Sequence, residues 1–427
     1  MKMKFETAFS IDTSSIKYGP GVSSEAGYEL NRFGAKRVMV LTDSNVSETQ
    51  ILKNVIDSIK DYKIDSFLYT EVRVEPTDKS FKNAIKCAQE GKFDGFVAIG
   101  GGSTIDTAKA CNLYSTYKAN FLTYVNAPLG EGKAVPGPLK PLIAIPTTTG
   151  TGSETTGVSI FDYLEIKAKT GISHGFLRPN VGLVDPNSTK TLPSMVIACS
   201  GLDVLCHGLE SYTALPYQKR EAPDDPGARP SYQGSNPISD VWSAKAIQMV
   251  GENIVSAVNE KEDVEAKANM LLAATYAGVG FGNAGCHLPH GMSYPVSGMV
   301  EEFAPEGYSG IGPIVPHGMS VALNAPAVFK FTGVSDPDRH LEAAKFVGAD
   351  VLGVDKTKAG EILANAVKDI MKKINMPNGL REVGYSENDV DKLVQGTLPQ
   401  HRVTKLCPLE FSEEDLKNMF LESMDLW

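Results

Sequence analysis

The chain has 427 residues, 42% hydrophobic and 22% charged, the balance of an ordinary globular protein rather than a disordered one. Its formal net charge of -10 repels nucleic-acid phosphates and anionic lipid, so neither nucleic acid nor membrane is expected as a partner. No apolar run approaches the ~20 residues that span a bilayer, and on the usual prior of roughly 150 residues per domain the length suits two or three domains.

The first half alternates β-rich runs with helical patterns. Residues 36–42 read as a strand ending at Asp43, followed by a helix over 48–62 and a strand over 65–72. A helix over 78–90 carries Phe81, Ala84, Ile85 and Ala88 on one face at helical spacing. A strand over 93–99 runs into Gly100, Gly101, Gly102 and Ser103, which open another helix. A last strand, 142–145, is stopped by Pro146 and leads into a loop dense in threonine and glycine. Strand–helix alternation predicts a mainly parallel sheet covered by helices. After about Pro186 helical patterns dominate, over 194–213, 239–260, 264–280 and from an N-cap at Ser412. The chain is therefore divided into an α/β domain over 1–187 and an all-helical domain over 188–427. The Pro- and Gly-rich stretch 216–237 reads as one long loop.

The amino terminus lacks an apolar core, a cleavage site or an arginine-rich leader, and none of the six cysteines forms a C-x-x-C pair. Both features lead to the expectation of a cytoplasmic protein with reduced thiols.

Three segments at strand ends could hold a dinucleotide. The glycines at 100–102 let backbone approach a ligand closely, and the following helix offers unpaired N–H groups to a pyrophosphate. Such a cluster alone is equally a tight strand-to-helix turn. Thr147, Thr148, Thr151 and Ser153 supply hydroxyls where open α/β sheets bind ligands. Asp43 could accept from a ribose 2′-hydroxyl and repel a 2′-phosphate, which favours NAD over NADP, or it could simply start a turn.

The second half carries a candidate metal set. Asp203 and His207, four apart, share a helix face, while His290 and His317 each precede Gly-Met. One carboxylate and three imidazoles suit a divalent transition metal with an open position. Each member also has a bland reading as a surface acid or a hydrogen-bonded core histidine.

Together these residues resemble the iron-containing alcohol dehydrogenase family, in order and over nearly the whole chain. The resemblance rests on Gly100 to Ser103 with Asp106 and Lys109, on Pro146 to Glu154, on the Asp203/His207 pair, and on His290 and His317. It implies a Rossmann-like amino-terminal domain, an all-helical carboxyl domain, a cleft between them and a homodimer. It also implies a metal held by Asp203, His207, His290 and His317, with Fe2+ expected and Zn2+ also compatible. The cofactor-binding set comprises Asp43, Asn45, Gly100, Gly101, Gly102, Ser103, Asp106, Thr147, Thr148, Thr151, Ser153 and Lys169.

Tyr232 to Asp240, His290 to Pro295 and Thr397 to Lys405 are most similar to the hydroxyacid-oxoacid transhydrogenase branch. That branch oxidises 4-hydroxybutyrate and passes the hydride to 2-oxoglutarate. Many family members have a histidine four residues after the third ligand, where this chain has Tyr294, which is therefore a catalytic candidate. The first reading is a metal-dependent, NAD(P)-linked dehydrogenase of a small alcohol, aldehyde or hydroxy acid, and the alternative is the transhydrogenase. A dehydroquinate synthase-like lyase and an inactive dinucleotide-binding protein are the rivals from other classes. Arg229, Arg402 and Lys405 are basic candidates for clamping a substrate carboxylate.

Overall fold

A computed structural model describes residues 4–165, 168–308 and 311–427. The chain forms two compact units, Thr13–Leu192 and a discontinuous one made of Met1–Asp12 with Pro193–Trp427.

The first unit is a six-stranded sheet with a separate hairpin. Its strands are β1 (Ser15–Tyr18), β2 (Arg37–Leu41), β3 (Asp65–Tyr69), β4 (Gly95–Gly100), β5 (Leu142–Pro146), β6 (Val158–Tyr163), β7 (Ala168–Ser173) and β8 (Val181–Val184). The sheet order is β1-β8-β5-β4-β2-β3 with every pair parallel, and β6 and β7 form the antiparallel hairpin. Helices α1 (Ala26–Arg32), α2 (Gln50–Asp61), α3 (Asp78–Gly91) and α4 (Gly102–Thr116) lie between the strands in sequence. Alternation along the strands builds two cores. Met39, Leu41, Phe96 and Ala98 pack with α3 and α4, whereas Val38, Val40, Val97 and Ile99 pack with α1 and α2. The chain runs from β2 out to β3 and returns on the other side of β2 as β4. This reversal places the carboxyl ends of β2 and β4, with Asp43 and Gly100, side by side at the position where open α/β sheets bind ligands.

Four strands escaped the sequence reading. β1 and β8 are four residues each, too short to show a period; β1 pairs with β8 across the chain, and β8 with β5 as well. β6 and β7 stand as a two-stranded ribbon whose second strand, AKTGIS, carries little apolar character.

The second unit is helical. Its helices are α5 (Ser194–Thr213), α6 (Pro237–Asn259), α7 (Val264–Ala284), α8 (Leu288–Gly298), α9 (His317–Thr332), α10 (Pro337–Val347), α11 (Ala359–Lys373), α12 (Val390–Thr397), α13 (His401–Thr404) and α14 (Glu413–Glu422). None of the described helices is long and apolar enough to cross a membrane. The stretch 216–237 holds only two short 3-10 turns, yet it is pinned. Arg229 donates to the Glu6 carboxylate at 2.9 and 3.2 Å, and the Gln233 side chain bonds the backbone of Ser10. These contacts are what bind the amino-terminal strip to the helical unit.

In the sheet unit, α4 is anchored by a buried ion pair. The Lys109 ammonium is fully enclosed and donates to Ser153 Oγ (2.6 Å), Val158 O (2.7 Å) and Thr156 Oγ1 (3.3 Å). Asp106 lies 3.5 Å from that ammonium and accepts from Ser153 Oγ (2.6 Å) and Ile160 N–H (2.9 Å). Burial brings the lysine pKa down to about 8, with Asp106 pulling the other way. Removing one partner of such a pair leaves the other charge without compensation. Asp106→Ala is therefore expected to destabilise the sheet unit by about 3 kcal/mol, seen as an earlier urea transition. An unchanged midpoint would show that the lysine does not need its partner.

Candidate functional site

Helix α5 is buried nearly throughout and presents Asp203, His207 and Glu210 at i, i+4 and i+7, one face of a helix. His290 lies in the first turn of α8, after Pro289 at a position where proline suits a helix start. His317 is the first residue of α9. The glycine after it is required: a Cβ at Gly318 would fall 2.0 Å from Cys199 O and 2.8 Å from Asp203 Cβ, so only glycine lets α9 approach α5 this closely.

These elements bring the four predicted metal ligands together. Asp203 Oδ1 lies 3.8 Å from His207 Nε2, 3.6 Å from His290 Nε2 and 3.8 Å from His317 Nε2. A tetrahedron with bonds of about 2.1 Å has edges of about 3.4 Å, so one divalent ion can serve the set with small adjustments. Two of the buried atoms facing the centre, Asp203 Oδ1 and His290 Nε2, have no hydrogen-bond partner among the described residues, as expected of atoms meant for a cation. Burial pushes the Asp203 pKa up, but the imidazoles of His207, His317 and His290 more than reverse this and keep it ionised. Burial, foremost, takes His207 down to about 3, which leaves a neutral imidazole ready to ligate. His207 is also stacked on Phe281, with ring centroids 3.8 Å apart. A second grouping, His207 with Cys286 and His290, is also within reach of one ion. Burial raises the Cys286 thiol to about 11, so Asp203 is the resident anion. The His317 side chain is 25% exposed against 3–5% for the other three, so the centre opens on the His317 side.

Glu210 was missed in the sequence, although it extends the Asp-x-x-x-His face by one more turn. Its carboxylate accepts from His290 Nδ1 at 2.6 Å and from the backbone N–H groups of His287 (2.8 Å) and His290 (3.3 Å). The proton on Nδ1 leaves Nε2 bare and aimed at the centre. Burial opposes the Glu210 charge, but His290 and His287 lower its pKa on balance.

Tyr294 sits one turn after His290, buried, with its ring 6.3 Å from that of His317. Its hydroxyl accepts from Arg402 Nη2 at 2.7 Å. Of the other basic candidates, Arg229 is committed to Glu6 and Lys405 is exposed.

The expected dinucleotide residues lie in the sheet unit. Gly101 caps α4 without any side-chain hydrogen bond. Thr104 N–H turns back to Gly101 O at 3.0 Å, while the N–H groups of Gly102 and Ser103 have no hydrogen-bond partner among the described residues and could donate to an anion. Thr147 N–H bonds Gly100 O at 3.1 Å, and a Cβ at Gly102 would be 2.5 Å from Thr151 Cγ2. The glycine and threonine loops therefore pack directly on each other, with Thr148 against Gly101. Ser103 Oγ accepts from Glu75 N–H (3.1 Å), and Glu75 in turn pairs with Lys169, which also lies 3.0 Å from Asp162. Asp106 and Ser153 are bonded to each other and to neighbouring backbone and lysine, so they shape the loop. Asp43 Oδ1 accepts from Asn45 and Val46 N–H (2.9 and 3.1 Å), which makes it the turn residue at the end of β2 as well as a carboxylate at the switch point.

Glu210→Gln keeps the shape but weakens the acceptor that orients His290. It is expected to lower metal affinity roughly 10- to 100-fold, measured by competition with a chromogenic chelator. Unaltered affinity would show that Glu210 only caps α8.

Comparison with known proteins places these features in context. Residues 13–186 match the family described as iron-containing alcohol dehydrogenase, and 231–424 match its carboxyl-terminal family. The chain is 54% identical to hydroxyacid-oxoacid transhydrogenase, mitochondrial, of Xenopus laevis, over 98% of this chain and 91% of that protein. The Homo sapiens protein of the same name is 51% identical over 98% of this chain and 90% of its own length. Among solved structures, 1,3-propanediol oxidoreductase shares the fold, with a TM-score of 0.85 at 22% identity over 98% of this chain and all of that one (100%). An iron-containing alcohol dehydrogenase of Thermococcus thioreducens gives 0.80 at 28% identity, covering 98% of this chain and 99% of that one. The relatives' names carry a mitochondrial assignment, which overturns the cytoplasmic expectation; that expectation rested on the absence of a leader and of paired cysteine motifs, and neither absence locates a protein. By both family matches and by these relatives, the chain belongs to the iron-containing alcohol dehydrogenase family.

Proposed function

We propose that the protein is a hydroxyacid-oxoacid transhydrogenase, oxidising a hydroxy acid such as 4-hydroxybutyrate and reducing an oxo acid such as 2-oxoglutarate with the same hydrogen. The observation that carries the chemistry is the convergence of three imidazoles on Asp203 Oδ1 within 3.6–3.8 Å. Kinship at 51–54% identity favours the transhydrogenase over the simple alcohol dehydrogenase, which rests on the family alone.

When bound, the metal, proposed to be iron, supplies a Lewis acid, and the dinucleotide, proposed to be NAD, supplies the hydride carrier. The chain's own contribution is positional. Asp203, His207, His290 and His317 hold the cation, and Glu210 fixes the His290 ring. The open N-terminus of α4 and the packed glycine and threonine loops offer donors to a pyrophosphate. Asp43, a buried carboxylate just after β2, is the group proposed to repel a 2′-phosphate. The hydride lost by the hydroxy acid is the one gained by the oxo acid, and the proton released in the first half is consumed in the second, so no outside oxidant is needed.

The reading is tested with 4-hydroxybutyrate deuterated at its carbinol carbon, 2-oxoglutarate and no added dinucleotide. Deuterium is expected in the 2-hydroxyglutarate formed, with activity lost on chelation and restored by ferrous ion. Stoichiometric release of NADH from added NAD and butanol, with no label in the oxo acid, would make the protein an ordinary alcohol dehydrogenase. Separately, Asp43→Ala is expected to narrow the preference for NAD over NADP in equilibrium binding by at least about tenfold, because a like-charge clash is removed. An unchanged ratio would remove Asp43 from cofactor selection.

A further inference from the structure

We infer that Arg402 is the specificity-determining residue that receives the substrate carboxylate, and that Tyr294 positions it. The inference rests on the hydroxy-acid reading above and names the group that selects such acids. Arg402 lies in α13, a short helix following α12. Its Nη2 donates to Tyr294 Oη at 2.7 Å, and its guanidinium carbon lies 5.0 Å from the centre of the Tyr232 ring. Its Nη1 is buried and has no hydrogen-bond partner among the described residues. No carboxylate pairs with this arginine among them, and unlike Arg220, whose Nη1 reaches Gln233 O at 2.7 Å, its Nη1 has no backbone acceptor either.

A guanidinium held between two neutral phenols, with its Nη1 buried and unpaired, is an expensive arrangement unless an anion completes it. Its planar fork of N–H groups matches a carboxylate. The position is informative as well. Tyr294, which orients Arg402, sits one helical turn beyond the ligand His290, and its ring is 6.3 Å from that of His317, the ligand on the open side of the centre. The cation therefore stands near the metal centre while remaining separate from it.

Chemistry explains why one fixed arginine can serve both half-reactions. In 4-hydroxybutyrate two methylenes separate the oxygen-bearing carbon from the carboxylate. In 2-oxoglutarate two methylenes separate the carbonyl carbon from the distal carboxylate. Donor and acceptor thus present the same pair of anchors, an oxygen and an anion at fixed separation. Tyr294, in place of the histidine seen in many relatives of the family, is then a holder of the arginine rather than a proton relay.

The test compares wild-type enzyme with Arg402→Met and Arg402→Lys. Arg402→Met is expected to raise the KM for 4-hydroxybutyrate ~100-fold with a much smaller change in kcat, and to collapse the preference for that acid over 1-butanol. Arg402→Lys should recover part of the preference, and metal content should match wild type in both. An acid-over-alcohol preference unchanged in Arg402→Met overturns the inference. Should that variant fail to fold, butyrate and butyramide are compared as competitive inhibitors of the wild-type enzyme. Butyrate is expected to bind at least ~100-fold more tightly, and equal inhibition overturns the inference. The two readings fail separately. Loss of the acid-over-alcohol preference in Arg402→Met, with no deuterium transfer to 2-oxoglutarate by the wild-type enzyme, keeps the role of Arg402 and removes the transhydrogenase. Deuterium transfer with equal inhibition does the reverse.

Discussion

Two carboxylates lie inside the helical unit on one face of α5, and the packing of three helices follows from what they require. Asp203 and Glu210 are 2% and 0% exposed, a placement that costs several kcal/mol per ion unless each charge is matched. Glu210 is matched by protein alone. It takes the Nδ1 proton of His290 and two backbone N–H groups at the start of α8, and α8 has no side-chain cap of its own. One acid therefore caps a neighbouring helix at its positive end and sets the tautomer of a ligand. Asp203 is different. One of its oxygens faces three imidazole nitrogens and has no hydrogen-bond partner among the described residues, a deficit that a cation would remove. A cation held there, as proposed, would belong to the charge balance of the core as well as to the chemistry.

The sheet unit solves the opposite problem, a buried positive charge, with different means. Lys109 is surrounded by a carboxylate, two hydroxyls and a carbonyl, drawn from α4 and from the segment after β5. Because these partners come from both loops at the strand ends, the ion pair fixes the glycine turn and the threonine loop in one arrangement. The threonine side chains fill their contact, which explains why glycines stand opposite: at Gly101 and Gly102 a Cβ would collide with Thr148 and Thr151. The start of α4, which no side chain of the N-cap residue covers, lies at this contact.

Features that are local in the chain were legible in the sequence. The strands at the middle of the sheet are buried on both faces and read as apolar runs, so 93–99 and 142–145 match β4 and β5 to within two residues. Helix α5 was readable over its full length, Ser194–Thr213. The proposed metal ligands were visible as a constellation because two His-Gly-Met loops accompany the Asp203/His207 pair, a spacing that is common by itself. What depends on partners far along the chain was not legible. β1 exists because Ser15 to Tyr18 pair with Val181 to Val184, and neither segment announces itself. The helix expected to start at Ser239 begins at Pro237, because Asn236 caps it through Ile238 and Ser239 N–H. Glu210 looks in sequence like any solvent-facing glutamate, and its role appears only when α8 is laid beside it. Arg402 stood level with Arg229 and Lys405 until the fold showed that the first of those two is consumed by Glu6 and the second faces outward.

The energetics also bear on the rival readings. A protein that only held a dinucleotide would have no use for the centre in the helical unit. Replacing buried polar and charged groups with well-packed apolar side chains is often neutral or stabilising by a few kcal/mol. Asp203, His207, Glu210 and His290, all at 4% exposure or less, would then be a standing liability without a function. The lyase reading asks for lysines and arginines converging on the metal to grip a phosphate. Among the described residues, the basic group beside the tyrosine that follows the third ligand is one arginine, stacked on an aromatic ring and short of one acceptor. A single planar cation of that kind fits a carboxylate, whereas a phosphate carrying two charges calls for more than one positive partner.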